Sequence, residues 1–259
     1  MSKIGPTRKT ETVLFKLTNR GLFSELNNLL NAYFFSIKKG LRFYVDTSES
    51  TLYFPNGFEQ FFSIIGDSNP PENDFLPIRG GQSSFHKMRG FCKKNLSYLQ
   101  KSKLATELKL NATTQDEVRA RIQSLSLPKR FCAAHIRWGD KLIREASQYC
   151  ASDYLSKLPT DCKDLFLMTD DYRSLKGFSN SNLRLHTFAK SKQTGHSTKK
   201  RIARPFTRSE VIQLLAEVEI ASRSDVFVGT MSSNVSRFIT LKHSSFDNCV
   251  SLDRSWHTL

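Results

Sequence analysis

The chain has 259 residues, 39% of them hydrophobic, and a formal net charge of +15 at pH 7. The length allows one large domain or two small ones, and no apolar run approaches the ~20 residues of a membrane-spanning helix. The charge favours anionic partners such as nucleic acid or a phosphorylated substrate, but zinc-finger, RNP and helix-turn-helix patterns are missing. We therefore expect no specific nucleic-acid binding and no transmembrane segment.

The compartment is suggested by the first residues and by the cysteines. The opening MSKIGPTRKTETVLF has charges but no hydrophobic region typical of a signal peptide. The five cysteines are scattered without a CxxC pair, which fits reduced thiols and no metal site, although up to two disulfides remain possible. We expect a soluble cytoplasmic protein of viral or microbial origin.

The first half of the chain predicts an α/β domain. Leucines and aromatic residues recur at helical spacing before Gly40, between two short apolar runs typical of strands. A region rich in Pro, Gly, Ser and Asn predicts a long irregular segment, and Pro128 follows a further predicted helix. The predicted elements are strand 12–17, helix 22–39, strand 41–46, irregular segment 66–95 and helix 113–125. We place the domain boundary here, which gives domains 1–127 and 128–259.

In the second half, strands alternate with helices, which predicts a doubly wound parallel sheet. The predicted elements are strand 130–137, a short helix around 152–158, strands 164–171 and 183–188, helix 209–224, strand 225–230 and a final turn and helix. Ligands of such sheets bind beyond the carboxyl ends of the strands, where the polar clusters 135–145, 169–171 and 229–237 lie. Residues 190–208 contain seven Lys/Arg and no acid, which fits a solvated loop or a lid over an anionic ligand.

The segment GTMSSNVSRF (229–238) predicts a strand that ends at Gly229 and a helix capped by Ser232 or Ser233. Free backbone N–H groups and the positive helix end would then form an anion site suited to a diphosphate. The alternative is an ordinary capped turn.

Arg137 ends a predicted buried strand, where a guanidinium can bind phosphate oxygens through two hydrogen bonds. Its alternative role is a structural ion pair with Asp140 or Asp171. Asp170 and Asp171 follow the next strand and could bind a metal or a sugar hydroxyl, or cap a helix.

His135 could touch a base or ribose, or could be a hydrogen-bonded core histidine. Glu145 follows Lys141 by four residues, so on a helix Lys141 would orient this carboxylate. A carboxylate held in this way can take a proton from an incoming hydroxyl, and a surface ion pair is the alternative. Together these groups suggest a phosphate site with a general base, which displacing a nucleoside diphosphate from a sugar requires.

Three motifs in this order resemble the α1,6-fucosyltransferases, the nodulation fucosyltransferases and, more distantly, the protein O-fucosyltransferases. They are HIRWGDKLIRE, FLMTDD and FVGTMSSNVSRF, within residues 130–240, and residues 13–62 give a weaker match. The resemblance implies a GT-B-like α/β fold, with two Rossmann-like domains that face a cleft and a C-terminal doubly wound parallel sheet. It also implies an inverting, metal-independent glycosyltransferase without a cofactor.

The resemblance also implies roles for individual residues. Glu145 would be the general base with Lys141 beside it, and Arg137 would neutralise the donor phosphate. His135 would contact the nucleoside, Ser233 would bind the diphosphate, and the Gly21 loop would close over the donor. The remaining residues expected near the donor are Thr230, Ser232, Asp140, Asp170, Asp171 and Tyr154.

Two departures from the family pattern concern the donor. Trp138 stands where the family has a second arginine, and Glu217 falls where the family has the aspartate that binds guanine, although Glu217 could also be a surface residue. The donor is GDP-fucose by resemblance, or another sugar nucleotide such as UDP-xylose, and the acceptor is an oligosaccharide or glycoprotein. A non-catalytic protein that binds glycans or nucleic acid is the other class of function.

Overall fold

The computed structural model describes residues 11–138, 149–190 and 206–256. These residues form two compact units that divide between Asn111 and Ala112. Each unit is built on a parallel sheet, as the alternation of strands and helices in the sequence predicts. In the described part of the chain, no helix is both long and apolar enough to cross a bilayer.

The first unit is a three-stranded parallel sheet with helices packed beside it. Its sheet has the order β2-β1-β3, so that the chain passes from the central strand to one side and then to the other. The elements are β1 (Thr12–Lys16), α1 (Leu22–Lys39), β2 (Arg42–Asp46), β3 (Phe75–Arg79), α2 (Ser83–Asn95) and α3 (Tyr98–Glu107).

Helix α1 has the predicted bounds, and its physical signals explain them. Its leucines are buried in the core, and Lys38 and Lys39 lie in the last turn, where cations favour the negative helix end. Gly40 ends the helix in the left-handed conformation, with φ of 63°.

The predicted irregular segment 66–95 is wrong for its second half. β3 covers Phe75–Arg79, and α2 covers Ser83–Asn95. Helix α2 buries Phe85, Met88 and Cys92, which recur at helical spacing and form its core face. The sequence prediction gave more weight to the local Pro, Gly and Ser content than to this helical spacing. In the structure the spaced apolar residues form a helix because they pack against α1.

The second unit is a five-stranded parallel sheet of order β6-β5-β4-β7-β8. Its strands are β4 (Cys132–Ile136), β5 (Asp164–Thr169), β6 (Arg184–His186), β7 (Val226–Gly229) and β8 (Cys249–Ser251). Its helices are α4 (Ala112–Gln123), α5 (Ala151–Leu155), α6 (Arg208–Ser222) and α7 (Asn234–Lys242). The predicted doubly wound parallel sheet is confirmed, and β8 is a strand that the sequence patterns did not indicate.

The division between the units lies ahead of the predicted boundary at 127/128, because α4 packs with the second unit. The guanidinium of Arg208, at the start of α6, donates to both carboxylate oxygens of Glu117 at 3.0 and 3.1 Å. Arg121 donates to the hydroxyl of Ser209 at 3.1 Å. Helix α4 therefore belongs to the packing of α6 rather than to the first unit.

Candidate functional site

The carboxyl ends of β4, β5 and β7 lie side by side in the second sheet. Ile136 is in register with Thr169, and Ala134 is in register with Val228. The polar residues that follow these strands therefore converge at one edge, where doubly wound sheets bind ligands. The structure describes most of these residues, but Gly139 to Gln148 lie outside the described part of the chain.

Arg137 forms an ion pair with Asp170 at this edge. The two side chains are 17% and 6% exposed, so both charges are largely removed from water. Asp170 also accepts the backbone N–H of Trp138 at 2.9 Å. The pair forms because residues 137 and 170 are the next positions after the register pair Ile136 and Thr169. Asp170, rather than the Asp171 considered from the sequence, therefore orients the arginine.

Trp138 is hydrogen-bonded to Tyr149. Its indole N–H donates to the carbonyl oxygen of Tyr149 at 3.1 Å. Asp140, Lys141 and Glu145 lie between these two residues in the chain, outside the described residues. The indole N–H of Trp138 is thus used within the protein, and this side chain brings no charge to the site.

Asp171 and Tyr154 have structural partners. Asp171 accepts the backbone N–H of Arg173 at 2.9 Å and caps the 3-10 helix Tyr172–Phe178. The hydrogen-bonded Arg173 guanidinium holds the pKa of Asp171 below its usual value, although burial opposes this. Tyr154 is 2% exposed and packs against Phe178 with ring centroids 6.3 Å apart. Burial raises its pKa, so this phenol stays protonated.

His135 lies on β4 and is hydrogen-bonded within the protein. Its Nδ1 is 2.7 Å from the hydroxyl oxygen of Ser236 in the first turn of α7, and that oxygen accepts the N–H of Thr230 at 3.4 Å. The hydrogen bond forms either with the serine hydroxyl donating to Nδ1 or with Nδ1–H donating to the serine oxygen, and in both cases it uses Nδ1 and leaves Nε2. Burial, with the charge of Arg137, lowers the pKa of His135 to about 3, so the imidazole is neutral at physiological pH.

The turn between β7 and α7 does not have the free N–H groups expected from its sequence. The carboxylate of Asp253 accepts the backbone N–H groups of Met231 at 2.6 Å and Ser232 at 3.0 Å. It also accepts the hydroxyl of Ser251, the last residue of β8, at 3.0 Å. Burial would raise the pKa of Asp253, but these hydrogen bonds outweigh it and lower the pKa. A protein carboxylate therefore already occupies this part of the predicted anion site.

The start of α7 itself retains features of an anion site. Ser233 is the N-cap residue, and its side chain makes no capping hydrogen bond. The hydroxyl oxygen of Thr230 is buried and has no hydrogen-bond partner in the part of the chain that the structure describes. Gly229 allows this turn to approach α7, because an added Cβ would lie 2.7 Å from the hydroxyl oxygen of Ser236.

Glu217 is buried within α6 and is not a surface residue. It accepts a hydrogen bond from the side chain of Gln213 at 3.1 Å and is 7% exposed. Burial raises its pKa to about 7, against the opposing effects of Gln213 and Arg121. It lies nine residues after Arg208, roughly 14 Å along the helix. The carboxylate of Glu217 is thus buried and hydrogen-bonded to Gln213 of the same helix, far from the end at which α6 begins.

Gly21, predicted to belong to a loop over the donor, precedes α1 at the carboxyl end of β1. The preceding Thr18 donates its hydroxyl to Glu25 at 2.7 Å, across the first turn of the helix. Asn19 accepts the N–H of Leu52 at 2.9 Å. The loop therefore has a fixed local structure within the first unit.

Metal-ligating residues do not cluster in the described residues, where no group of three His, Cys, Asp or Glu could hold an ion. The five cysteines are free thiols. Two functional positions, Ser236 and Asp253, were missed from the sequence. Ser236 is the third serine of GTMSSNVSRF and could have been noticed, whereas Asp253 reaches the turn from beyond β8 and has no local signal.

These observations define a fucosyltransferase-like GT-B fold with a polar site at the carboxyl edge of the second sheet. The structure is similar to that of the NodZ α-1,6-fucosyltransferase soaked with GDP-fucose, with a TM-score of 0.60, 14% identity and coverage of 91% of this chain and 93% of that chain. NodZ from Bradyrhizobium gives a TM-score of 0.57 at 13% identity, with coverage of 91% and 94%.

POFUT1 in complex with GDP gives a TM-score of 0.55 at 10% identity, with coverage of 95% of this chain and 99% of that chain. No protein-family model matches the chain, and no curated protein sequence matches it. The likeness at these identities establishes the fold, and the predicted GT-B-like α/β class is confirmed.

The buried carboxyl of Glu217 makes stability depend on pH. Its folded pKa of about 7 lies above its ordinary value of 4.5. Protonated Glu217 therefore contributes fully to the free energy of unfolding below pH 4.5. This contribution is lost as the pH rises to about 7, because the folded protein must then bury a charged carboxylate. We expect Glu217→Gln to raise the free energy of unfolding at pH 8 by about 3 kcal/mol and to flatten the profile between these values. Urea unfolding at pH 5 and pH 8 measures both effects.

Glu219→Gln on the same helix is the matched control. Glu219 accepts from Lys242 at 2.8 Å and from Arg223 at 2.6 Å, and these contacts lower its pKa although burial opposes them. This variant should be less stable than the wild type at pH 8, the opposite sign. Equal or lower stability of Glu217→Gln at pH 8 would contradict the assigned protonation.

The carboxylate of Asp253 should stabilise the turn before α7. An asparagine can accept only through its oxygen, and its NH₂ would face a backbone donor. We therefore expect Asp253→Asn to lower the free energy of unfolding by about 1–3 kcal/mol at pH 7. Asp247→Asn, an exposed residue of the neighbouring 3-10 helix Phe246–Asn248, is the control and should change stability by less than about 0.5 kcal/mol. Equal effects of the two substitutions would remove this role from Asp253.

Proposed function

We propose that the protein is a glycosyltransferase that moves a sugar from a nucleoside diphosphate to a glycan hydroxyl. The reaction inverts the anomeric centre and uses neither a metal ion nor a cofactor. The observation that carries the proposal is the guanidinium of Arg137, held by Asp170 at the carboxyl edge of the central strand β4. A fixed guanidinium at this edge is suited to the charge that grows on a departing diphosphate.

The fold supports the same class of donor. NodZ was solved after soaking with GDP-fucose, and POFUT1 was solved in complex with GDP. Both resemble this chain over more than nine-tenths of its length. The Arg137 motif, the Asp170 motif and the Thr230 motif follow neighbouring parallel strands, as expected of one donor site.

The diphosphate is assigned to the start of α7 rather than to the turn before it. Asp253 takes the N–H groups of Met231 and Ser232, so an anion there would meet a carboxylate. Ser233 and the buried hydroxyl of Thr230 lie at the positive end of the helix, where a phosphate is favoured. Ser232 then contributes its side chain only.

His135 is assigned to the nucleoside as a neutral hydrogen-bonding group. Its Nδ1 is used by Ser236, which leaves Nε2 as the nitrogen that would form a hydrogen bond with the ribose or the nucleobase. A neutral ring is required here because a second cation beside Arg137 would be unfavourable in a buried position. We do not assign acid–base catalysis to His135.

Glu145 is assigned as the general base and Lys141 as its neighbour, from the motif that both share with fucosyltransferases. Glu145 removes the proton of an acceptor hydroxyl, whose oxygen attacks the anomeric carbon from the face opposite the diphosphate. The bond from the anomeric carbon to the phosphate oxygen breaks, and Arg137 and the α7 dipole stabilise the leaving group.

The sugar is fucose by family resemblance, and UDP-xylose is the alternative donor. Two observations favour keeping the alternative. Trp138 replaces a positive charge by a neutral indole, and Glu217 is engaged by Gln213 within α6. We therefore do not assign Glu217 to the binding of the nucleobase. The carboxylate expected to bind guanine is then not available in this site.

Donor identity can be measured by thermal shift with GDP, UDP, GDP-fucose and UDP-xylose at fixed salt, with EDTA and then with Mg²⁺ or Mn²⁺. A ligand at a hundredfold excess over its Kd stabilises the folded state by about 2.7 kcal/mol, or roughly 5–10 °C in Tm. We expect GDP and GDP-fucose to stabilise the protein without metal. Selective stabilisation by the uridine nucleotides would assign the alternative donor, and no response to any of the four would contradict the proposal.

The two central residues should separate donor binding from turnover. Glu145→Gln should lower turnover ~10²–10⁴-fold and leave donor affinity unchanged. Arg137→Ala should lose donor binding, whereas Arg173→Ala, at an exposed arginine of the 3-10 helix Tyr172–Phe178, should retain it. Calorimetric titration with the donor nucleotide and a product assay measure the two effects. A loss of turnover below tenfold in Glu145→Gln would remove this residue from the role of base.

A further inference from the structure

The first unit carries a cluster of cations that the proposed donor chemistry does not use. Six exposed cations lie on the last turn of α1 and on α2, and we call them the basic helix surface: Lys38, Lys39, Lys87, Arg89, Lys93 and Lys94. Helix α1 packs against α2, so the two groups of cations are neighbours. Helix α2 contains no acidic residue, and its charged side chains are all positive.

The carboxylates that form ion pairs in the described part of the first unit do so with other bases. Asp46 pairs with Lys16, Asp67 with Arg42 and Glu49 with Arg79. None of the six cations of the basic helix surface forms an ion pair with a carboxylate of the described chain. Concentrated unneutralised charge of one sign attracts an extended anionic partner.

Aromatic side chains support the cations at the junction of the two helices. The ammonium of Lys39 lies 4.9 Å from the ring centroid of Phe91 on α2, and that of Lys38 lies 5.7 Å from the ring of Phe34. The ring of Phe91 also packs edge-on against Phe35 at 5.3 Å. These contacts hold the two ammonium groups over neighbouring aromatic rings.

Two exposed aliphatic side chains lie on the helices that carry these cations or directly follow them. Ile37, directly before Lys38, is 52% exposed, and Leu99 at the start of α3 is 77% exposed. Leu99 follows Lys94 by five residues, so the two Cα atoms lie within about 18 Å. Exposed apolar side chains among lysines are typical of helices that lie in a membrane interface.

We propose that the basic helix surface, with Ile37 and Leu99, binds the surface of a bilayer that contains anionic lipid. The cations attract the lipid head groups, and the two aliphatic side chains enter the boundary between head groups and acyl chains. Nucleic acid would account for the lysines equally well. It would gain nothing from an aliphatic side chain as exposed as Leu99, so the observations favour the bilayer.

The test is co-sedimentation of the full chain with vesicles of phosphatidylcholine alone, or with 30% phosphatidylserine, at low and high salt. We expect binding only to the anionic vesicles, weakened by salt. The variant Lys38→Glu, Lys39→Glu, Lys93→Glu, Lys94→Glu should bind at least about a hundredfold more weakly, since each cation near such a surface contributes about fivefold. Leu99→Ser should weaken binding at both salt concentrations.

The matched control reverses four exposed lysines of the second unit, with the same change in net charge: Lys129→Glu, Lys157→Glu, Lys163→Glu, Lys176→Glu. It should retain vesicle binding. Equal loss in this control, or no binding by the wild type, would overturn the proposal. Binding to a single-stranded oligonucleotide in place of the vesicles, with loss in the first variant only, would assign the surface to nucleic acid. Leu99→Ser decides the membrane role even if the fourfold variant does not fold.

Discussion

The ion pair between Arg137 and Asp170 is the interaction on which the candidate site depends. It joins the residues that follow two adjacent central strands, and neither side chain is well exposed. A buried charge without a partner is strongly unfavourable, so each residue fixes the position of the other. Asp170 also holds the N–H of Trp138, which makes the direction of the chain after β4 part of the same arrangement. The protein itself thus fixes the position of the arginine that we propose for the donor phosphate.

At the same edge of the sheet, the carboxylate of Asp253 lies next to the site that we propose for an anion. Asp253 binds the two N–H groups of the turn after β7 and so holds that turn in shape. The positive end of α7 lies beside this turn. Ser233 does not cap it through its side chain, and we propose that the donor phosphate binds there. His135 is kept neutral by burial, so that Arg137 is not opposed by a second cation. The lowered pKa values of Asp253 and His135 therefore leave each with one charge state across the physiological range.

Sequence patterns predicted the elements whose signals are local. The helical spacing of leucines and the C-cap at Gly40 predicted α1 to the residue, and the apolar run before Arg137 predicted β4. They failed for α2, where polar residues surround a sparse core face, and for β8, which is only three residues long. The order of motifs predicted the GT-B-like fold. The partner of Arg137 required the strand register, and the role of Asp253 required a contact between positions more than twenty residues apart.

The positively charged side chains lie in different environments in different parts of the chain. The sequence reports only a total of +15, which fits many anionic partners. In the structure, Arg137, Arg173 and Arg208 are each paired with a carboxylate, so their positions follow from the fold. The lysines at the junction of α1 and α2 lie over aromatic rings instead, and among the described residues they form no ion pair with a carboxylate. An arginine held by a carboxylate has a fixed position, which suits the role that we propose for Arg137 with the donor phosphate. Lysines that rest on aromatic rings present their charge to water, which suits the extended anionic surface that we propose for the basic helix surface.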